Sequence, residues 1–252
     1  MNSKQYLARM QYHGTPCIEL ATLAELQLAH LREVPFENLS IHYQQPIVLD
    51  PSQLFTKIVE HKRGGFCYEL NGLFGQLLQE LGFTIALISA EVCHKDGTFG
   101  PIFDHLALLV ELGEVYLVDV GFGDSFRLPL RVHERGPQEQ GTTAYQISQE
   151  ADYYLLSEQN RQESAGGWEI LYRFTLQAWE LADFTSMCEY HQTSPASPFT
   201  QKRICSRATA DGRITLSDRR LIATRGLVRE ETTLTSEEEF LHTLHTHFSI
   251  QL

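Results

Sequence analysis

Residues 64–92, GGFCYELNGLFGQLLQELGFTIALISAEV, change their period at Gly82. Before it, Leu70, Leu73, Phe74, Leu77 and Leu81 recur at helical spacing. They predict a helix from about Phe66 to Leu81, with Gly82 as its C-terminal cap. After it, Phe83 to Val92 is rich in branched residues and reads as a strand. His105 to Glu111 and Val115 to Val120 continue that pattern around a tight turn at Gly113-Glu114. Tyr153 to Leu156 and Trp168 to Thr175 read as another strand pair around the loop Ser164 to Gly167. The middle of the chain is therefore mostly antiparallel β structure, either barrel or sandwich.

Upstream, the sequence reads as helical. A capping box at Thr22–Glu25 opens a helix carrying Leu23, Leu26, Leu31 and Val34, and Pro35 ends it. Asp50 and Pro51 are the N-cap and first residue of another helix, with Leu54, Phe55, Ile58 and Val59 inward. Downstream, Thr193 to Pro198 is linker-like. Arg203 to Ala208 and Arg213 to Leu216 flank an Asp211-Gly212 hairpin turn. Ser236 to Glu239 is a second capping box, and Phe240, Leu241, Leu244 and Phe248 form the apolar face of a last helix.

The chain has 252 residues, 42% of them hydrophobic. That suits one large domain or two to three small ones, stable without disulfides or metal. No apolar run approaches the roughly 20 residues that span a bilayer. The N-terminus has no basic start followed by an apolar core, so a soluble cytoplasmic protein is expected. The net charge of −12 argues against nucleic acid as a partner. Ala196 to Arg229 nonetheless carries eight Lys or Arg against Asp211 and Asp218. This is either a solvated strand face or a patch for a small polyanion.

The five cysteines include no C-x-x-C pair and no zinc spacing, so neither a disulfide framework nor a structural metal is expected. Cys67 falls in the first turn of a helix, where free N–H groups and the helix dipole favour thiolate. Taken alone, a cysteine there fits a small buried packing residue better than a nucleophile. A thiolate nucleophile needs a base and an orienting acid. His105 opens one predicted strand and Asp119 closes the next. A turn near 112 or 113 gives antiparallel partners that sum to about 225, which places His105 beside Asp119. Such a polar pair among apolar strands is costly unless hydrogen-bonded.

Other features carry less. His242, His245 and His247 read as helix surface. Gly121-Phe122-Gly123 is too short for a dinucleotide fingerprint. Trp168 and Trp179 read as core, and Cys17, Cys93, Cys188 and Cys205 as inert packing residues.

These residues resemble the arylamine N-acetyltransferase family over nearly the whole chain. Tyr6 to Met10, Val34-Pro35-Phe36-Glu37-Asn38-Leu39 and Arg63 to Glu69 with Asn71-Gly72 match its first part. His105-Leu106 and Val118 to Gly123 match its His and Asp motifs. Ala210 to Leu216 and Phe248 to Leu252 match its end. The resemblance implies an α+β fold with a cysteine-protease- or transglutaminase-like catalytic core. Its parts are a helical bundle (1–83) carrying Cys67, an antiparallel β-barrel (84–192) carrying His105 and Asp119, and a C-terminal α/β lid (193–252). It implies acetyl-CoA as the acyl donor, no metal, and an aromatic amine or hydrazine as the partner substrate, with no membrane partner. Cys67, ion-paired with His105, would attack the thioester, and Asp119 would hold the imidazole. Helix-start amides would stabilise the oxyanion. Phe36, Asp104, Phe122 and Phe126 would contact substrate; Pro101, Ile102 and Gly123 would contact the cofactor. The basic 196–229 segment would meet the CoA phosphates.

The chain departs from the family where Leu70 replaces a polar or His residue, and where Gln11 and Ser249 replace glycines. Alternatives are a thiol hydrolase or transglutaminase-like enzyme, a relative specialised for intramolecular amide closure, or a non-catalytic binder of CoA or amines.

Overall fold

The computed structural model describes residues 1–161 and 167–252. The helices α1 (Ser3–Arg9), α2 (Leu20–Glu33), α3 (Leu39–His42) and α4 (Pro51–Phe55) surround α5 (Cys67–Glu80). A two-residue strand, β1 (Phe36–Glu37), separates α2 from α3. Asp50 caps α4 through bonds from Ser52 N and Gln53 N, with Pro51 at the first helical position. The helix continues as a π turn over Thr56–Glu60. α5 is buried on every face as far as Leu78, apart from Gln76, because helices cover one side and a sheet the other. Gly82 ends it in a left-handed conformation (φ +97°), and Phe83 N returns to Leu78 O at 3.0 Å.

The second part is β2 (Thr84–Val92), β3 (His105–Glu111), β4 (Val115–Val118), β5 (Leu130–Arg131), β6 (Gln138–Gln140), β7 (Thr143–Glu150), β8 (Tyr153–Asn160) and β9 (Glu169–Phe174). They form one antiparallel sheet in the order β5-β4-β3-β2-β9-β8-β7-β6, curled into a nearly closed barrel rather than a sandwich. Glutamine side chains bridge its two ends. Gln138 bonds both Arg131 N and Arg131 O. Gln140 bonds Arg127 N, Leu128 N and Leu128 O. A side-chain amide thus supplies the donor and acceptor that a neighbouring strand would offer. The alternate residues of β3 explain its near-continuous apolarity. Ala107 and Leu109 face the barrel interior, while Leu106, Leu108 and Val110 pack on the α5 side.

The chain then forms a 3-10 turn (Leu181–Phe184), α6 (Thr185–Thr193) and α7 (Pro198–Gln201). It ends in β10 (Ile204–Ala208), β11 (Gly212–Ser217), β12 (Arg220–Arg225), β13 (Val228–Thr233) and α8 (Glu237–Phe248). The sheet order β1-β10-β11-β12-β13 ties Phe36 to Ser206 and Glu37 to Cys205. Among the described residues no helix is long and apolar enough to cross a membrane.

Several local expectations are corrected. α2 begins at Leu20 with Glu19 as its N-cap, so Thr22 lies inside the helix and forms no box. Ser236 does cap α8 through Glu239 N, but the Glu239 carboxylate turns to Thr235. Leu241 is exposed and Thr243 takes its place in the buried face. Trp168 is 38% exposed because it precedes β9 at the sheet margin. Cys17 is exposed and so is no packing residue. β4 ends at Val118, two residues early, because Asp119 leaves the ladder to bond other groups. Strands β5–β7, β12 and β13 and helix α6 lacked a readable period: short pairings and polar outward faces hide them. Of the loop expected at Ser164–Gly167, all but Gly167 lies outside the described residues.

Candidate active site

Cys67 is the first residue of α5 and only 3% exposed. A buried charge network fixes that helix end from behind. Glu69 Oε2 accepts from Phe66 N at 3.2 Å, and Glu69 Oε1 pairs with Lys57 Nζ at 2.7 Å. Burial pushes the Glu69 carboxyl up. Burial acts on Glu37 in the same direction, but Lys57 and Arg63, with the Leu39 N–H, hold its carboxyl below the usual value. Arg63 Nη2 lies 2.8 Å from Glu37 Oε1. A Cβ on Gly64 would run into the Pro35 carbonyl, so only glycine lets the two segments touch there.

On the barrel side, β3 and β4 pair with a register sum of 226, one residue from the expected sum. His105 and Asp119 consequently meet: Nε2 and Oδ2 are 2.7 Å apart, both residues 3% exposed. Asn71, one turn along α5 from Cys67, stitches helix to strands. Its Nδ2 donates to Asp119 Oδ1 at 2.8 Å and to Leu106 O at 2.6 Å. Its Oδ1 accepts from Val120 N at 2.9 Å. Gly121 N donates to Asp119 Oδ1 at 2.8 Å, and Tyr172 OH to Oδ2 at 3.2 Å. Phe122 and Tyr172 flank the His105 ring at 5.2 and 5.3 Å. A Cβ on Gly121 would sit 2.8 Å from Cys67 Cα, so the two backbones are in contact.

Asn71 and Tyr172 had no assigned role in the sequence. Asn71 was legible in principle, being four residues from Cys67 and so on the same helix face. Tyr172 carried no signal, because it reaches Asp119 across 53 residues of sequence.

The helix-start position was expected to favour the Cys67 thiolate. In the structure burial is the largest influence and pushes the thiol well up, aided by Cys188, Asp119 and Asp104. A hydrogen bond from the Leu106 N–H works the other way. Burial disfavours the charged form of any group taken out of water. The thiol therefore needs a base to become a nucleophile.

The structure brings some of the remaining expected residues together. Gly123 lies against the Phe36 ring, 3.7 Å from the position of a Cβ. Phe36 in turn meets Phe199 at 6.2 Å between ring centroids. Phe126 is buried inside the barrel against Tyr145, so its ring is a core group. Asp104 faces His191, and its backbone carbonyl accepts from Tyr68 OH at 3.1 Å. Pro101 and Ile102 are exposed in the loop leading to it. In the basic segment, Arg203 pairs with Glu237 at 2.6 Å, and Arg207 bonds the carbonyls of Arg32 and His247. Between the barrel and the five-stranded sheet lies a cleft of about 750 Å³ whose lining includes Arg32, Arg127, Arg213 and Arg229.

Residues 19–252 match the family model described as N-acetyltransferase. The arylamine N-acetyltransferase of Mycolicibacterium smegmatis is 34% identical over 255 residues, covering 98% of this chain and 91% of its own. The pineal gland isozyme NAT-10 of Gallus gallus, also an arylamine N-acetyltransferase, is 32% identical over 275 residues, covering 100% of this chain and 95% of its own. The structure of Mycobacterium marinum arylamine N-acetyltransferase in complex with CoA superposes with a TM-score of 0.90 at 29% identity, covering 99% of this chain and 93% of that one. The chain belongs to the arylamine N-acetyltransferase family and is an acetyltransferase.

Proposed function

We propose that the protein moves an acetyl group from acetyl-CoA to the nitrogen of an arylamine or hydrazine, or the oxygen of an arylhydroxylamine, through an acetyl-Cys67 intermediate. The observation that carries this reading is the His105–Asp119 pair at 2.7 Å, tied through Asn71 to the helix that begins with Cys67. Asp119 occupies His105 Nε2, which leaves Nδ1 to take the thiol proton. The thiolate sulfur attacks the thioester carbonyl carbon, and CoA leaves as the thiol after taking up that proton. The incoming amine then attacks the acetyl carbonyl, His105 takes its proton, and the Cys67 sulfur departs.

Glu69 N and Leu70 N are spent on Phe66 O at 3.0 Å each. That leaves the Cys67 and Tyr68 amides as the first-turn donors for an oxyanion. Phe36, Phe122 and Phe199 offer ring faces to a flat aromatic acceptor. The arginine-lined cleft suits the phosphates of CoA. The domain division at 83/84 and 192/193, with Gly123, Pro101 and Ile102 on the cofactor side, belongs to the same proposal.

Intact-protein mass spectrometry after mixing with acetyl-CoA alone tests it, beside Cys67→Ser. One acetyl adduct on the wild type only, discharged by an aromatic amine, supports the reading. No adduct with acetyl-CoA, but trapping by a peptide amide, would replace it with a transglutaminase-like function.

A further inference from the structure

A second buried histidine–aspartate contact stands beside the first. His191 on α6 places Nε2 3.2 Å from Asp104 Oδ1, with side-chain exposures of 4% and 13%. Asp104 is the residue before His105, and its charge bears on the Cys67 thiol. The other ring nitrogen, Nδ1, lies 3.0 Å from Ser197 Oγ. Ser197 donates its one hydroxyl proton to His191 O at 3.2 Å and accepts from Phe199 N at 3.3 Å. Its remaining lone pair faces Nδ1, so both ring nitrogens look onto oxygen atoms able to accept. Nε2 is buried without an aligned hydrogen bond, and Asp104 is the group placed beside it. A lone pair on Nε2 would face a carboxylate oxygen inside the protein, which is costly. A proton there makes an ion pair instead.

We propose that His191 is a positioning residue for the reaction: its positive charge neutralises and holds Asp104, so that this carboxylate does not oppose the Cys67 thiolate. This rests on the assignment of Cys67 as nucleophile. The surroundings agree. Tyr68 stacks on the His191 ring at 6.1 Å and donates its hydroxyl to Phe103 O at 2.8 Å and Asp104 O at 3.1 Å. Burial raises the Tyr68 hydroxyl, so it stays a neutral donor. Phe199 and Tyr190 close the remaining ring faces at 5.1 and 5.4 Å. The other titratable groups around the pair are Cys67 and Cys188, with His105 and Asp119 beyond Asp104 and the Lys57–Glu69 pair behind. Burial pushes the Cys188 thiol up to about 12, so it brings no charge near neutral pH.

The test is the rate of Cys67 alkylation by iodoacetamide against pH, followed by peptide mass spectrometry in the full-length protein. No acetyl donor is involved, so the result is independent of whether acetyl-CoA is the substrate. Removing the positive charge in His191→Leu leaves Asp104 uncompensated. The midpoint of the alkylation profile should rise by about one pH unit, roughly a tenfold slower reaction at pH 7. Asp104→Asn should move the midpoint down. The double variant, lacking both charges, should return close to wild type. His191→Gln keeps a neutral donor for Ser197 and should shift the profile like His191→Leu if the latter folds poorly. An unchanged profile in a folded His191 variant overturns the proposal. So does a double variant as slow as His191→Leu alone, which would mark His191 as packing only. A Cys67 that alkylates normally while the wild type takes up no acetyl group would leave this inference standing and remove the proposed donor.

Discussion

Asn71 and Asp119 are joined by a 2.8 Å hydrogen bond from the amide of one to the carboxylate of the other. The same Asn71 side chain bonds Leu106 O and Val120 N, on either side of that carboxylate. One residue on the helix that begins with Cys67 therefore sets the position of the carboxylate bonded to His105.

Asp119→Asn should keep the fold and lower turnover by about 10³- to 10⁴-fold, because an amide can present its N–H to His105 and select the wrong tautomer. Asn71→Leu removes three bonds and leaves Leu106 O and Val120 N unpaired. It should lower turnover by roughly 10²-fold and stability by about 2–4 kcal/mol. Steady-state kinetics beside urea unfolding separate the two effects. An Asn71→Leu enzyme with normal turnover would show that Asp119 needs no such support.

Gly121→Ala should cost most of the activity. Its methyl would sit 2.8 Å from Cys67 Cα, and backbone cannot yield as a side-chain tip can. A displacement of about 1 Å between Cys67 and the His105 strand is enough for a loss of roughly 10²-fold. The measurement is the rate of acetyl-Cys67 formation, with a thermal melt to confirm folding.

His30 makes stability fall in mild acid. Burial, and then Arg9, hold its imidazole down at about 3. The unfolded chain binds that proton near 6.5, so between the two values the unfolded state carries more protons and stability is lost as pH falls. At pH 5 the loss is about 2 kcal/mol. Urea midpoints at pH 7 and pH 5 should differ more in the wild type than in His30→Gln. Equal pH sensitivity in the two proteins would exclude this source.

Ser249→Gly should stabilise the protein by about 0.5–1 kcal/mol. Ser249 follows the last helix at φ +57°, in the left-handed region that glycine enters without strain. Gln11 occupies the same region at φ +54°, but its side chain also bonds Glu33 at 2.6 Å, which offsets the gain from a glycine there. Thermal denaturation of both glycine variants should rank Ser249→Gly above Gln11→Gly.

The amino-acid pattern by itself specified the central helix, the Gly82 break and the β3–β4 hairpin, because each is a local event. A 3.6-residue period, a glycine at positive φ and a short turn leave their marks within a few residues. Through the hairpin it also specified the meeting of His105 and Asp119, since antiparallel register follows from the turn. Other features were decided only by tertiary structure. Gln138 and Gln140 look like surface residues until barrel curvature brings residues 127–131 beside them. Tyr172 reaches Asp119, and His191 reaches Asp104, across spans of sequence that carry no shared period. The state of Cys67 belongs to the same class. Its helix-start position is written in neighbouring residues, but its desolvation depends on how completely helices and barrel close over it.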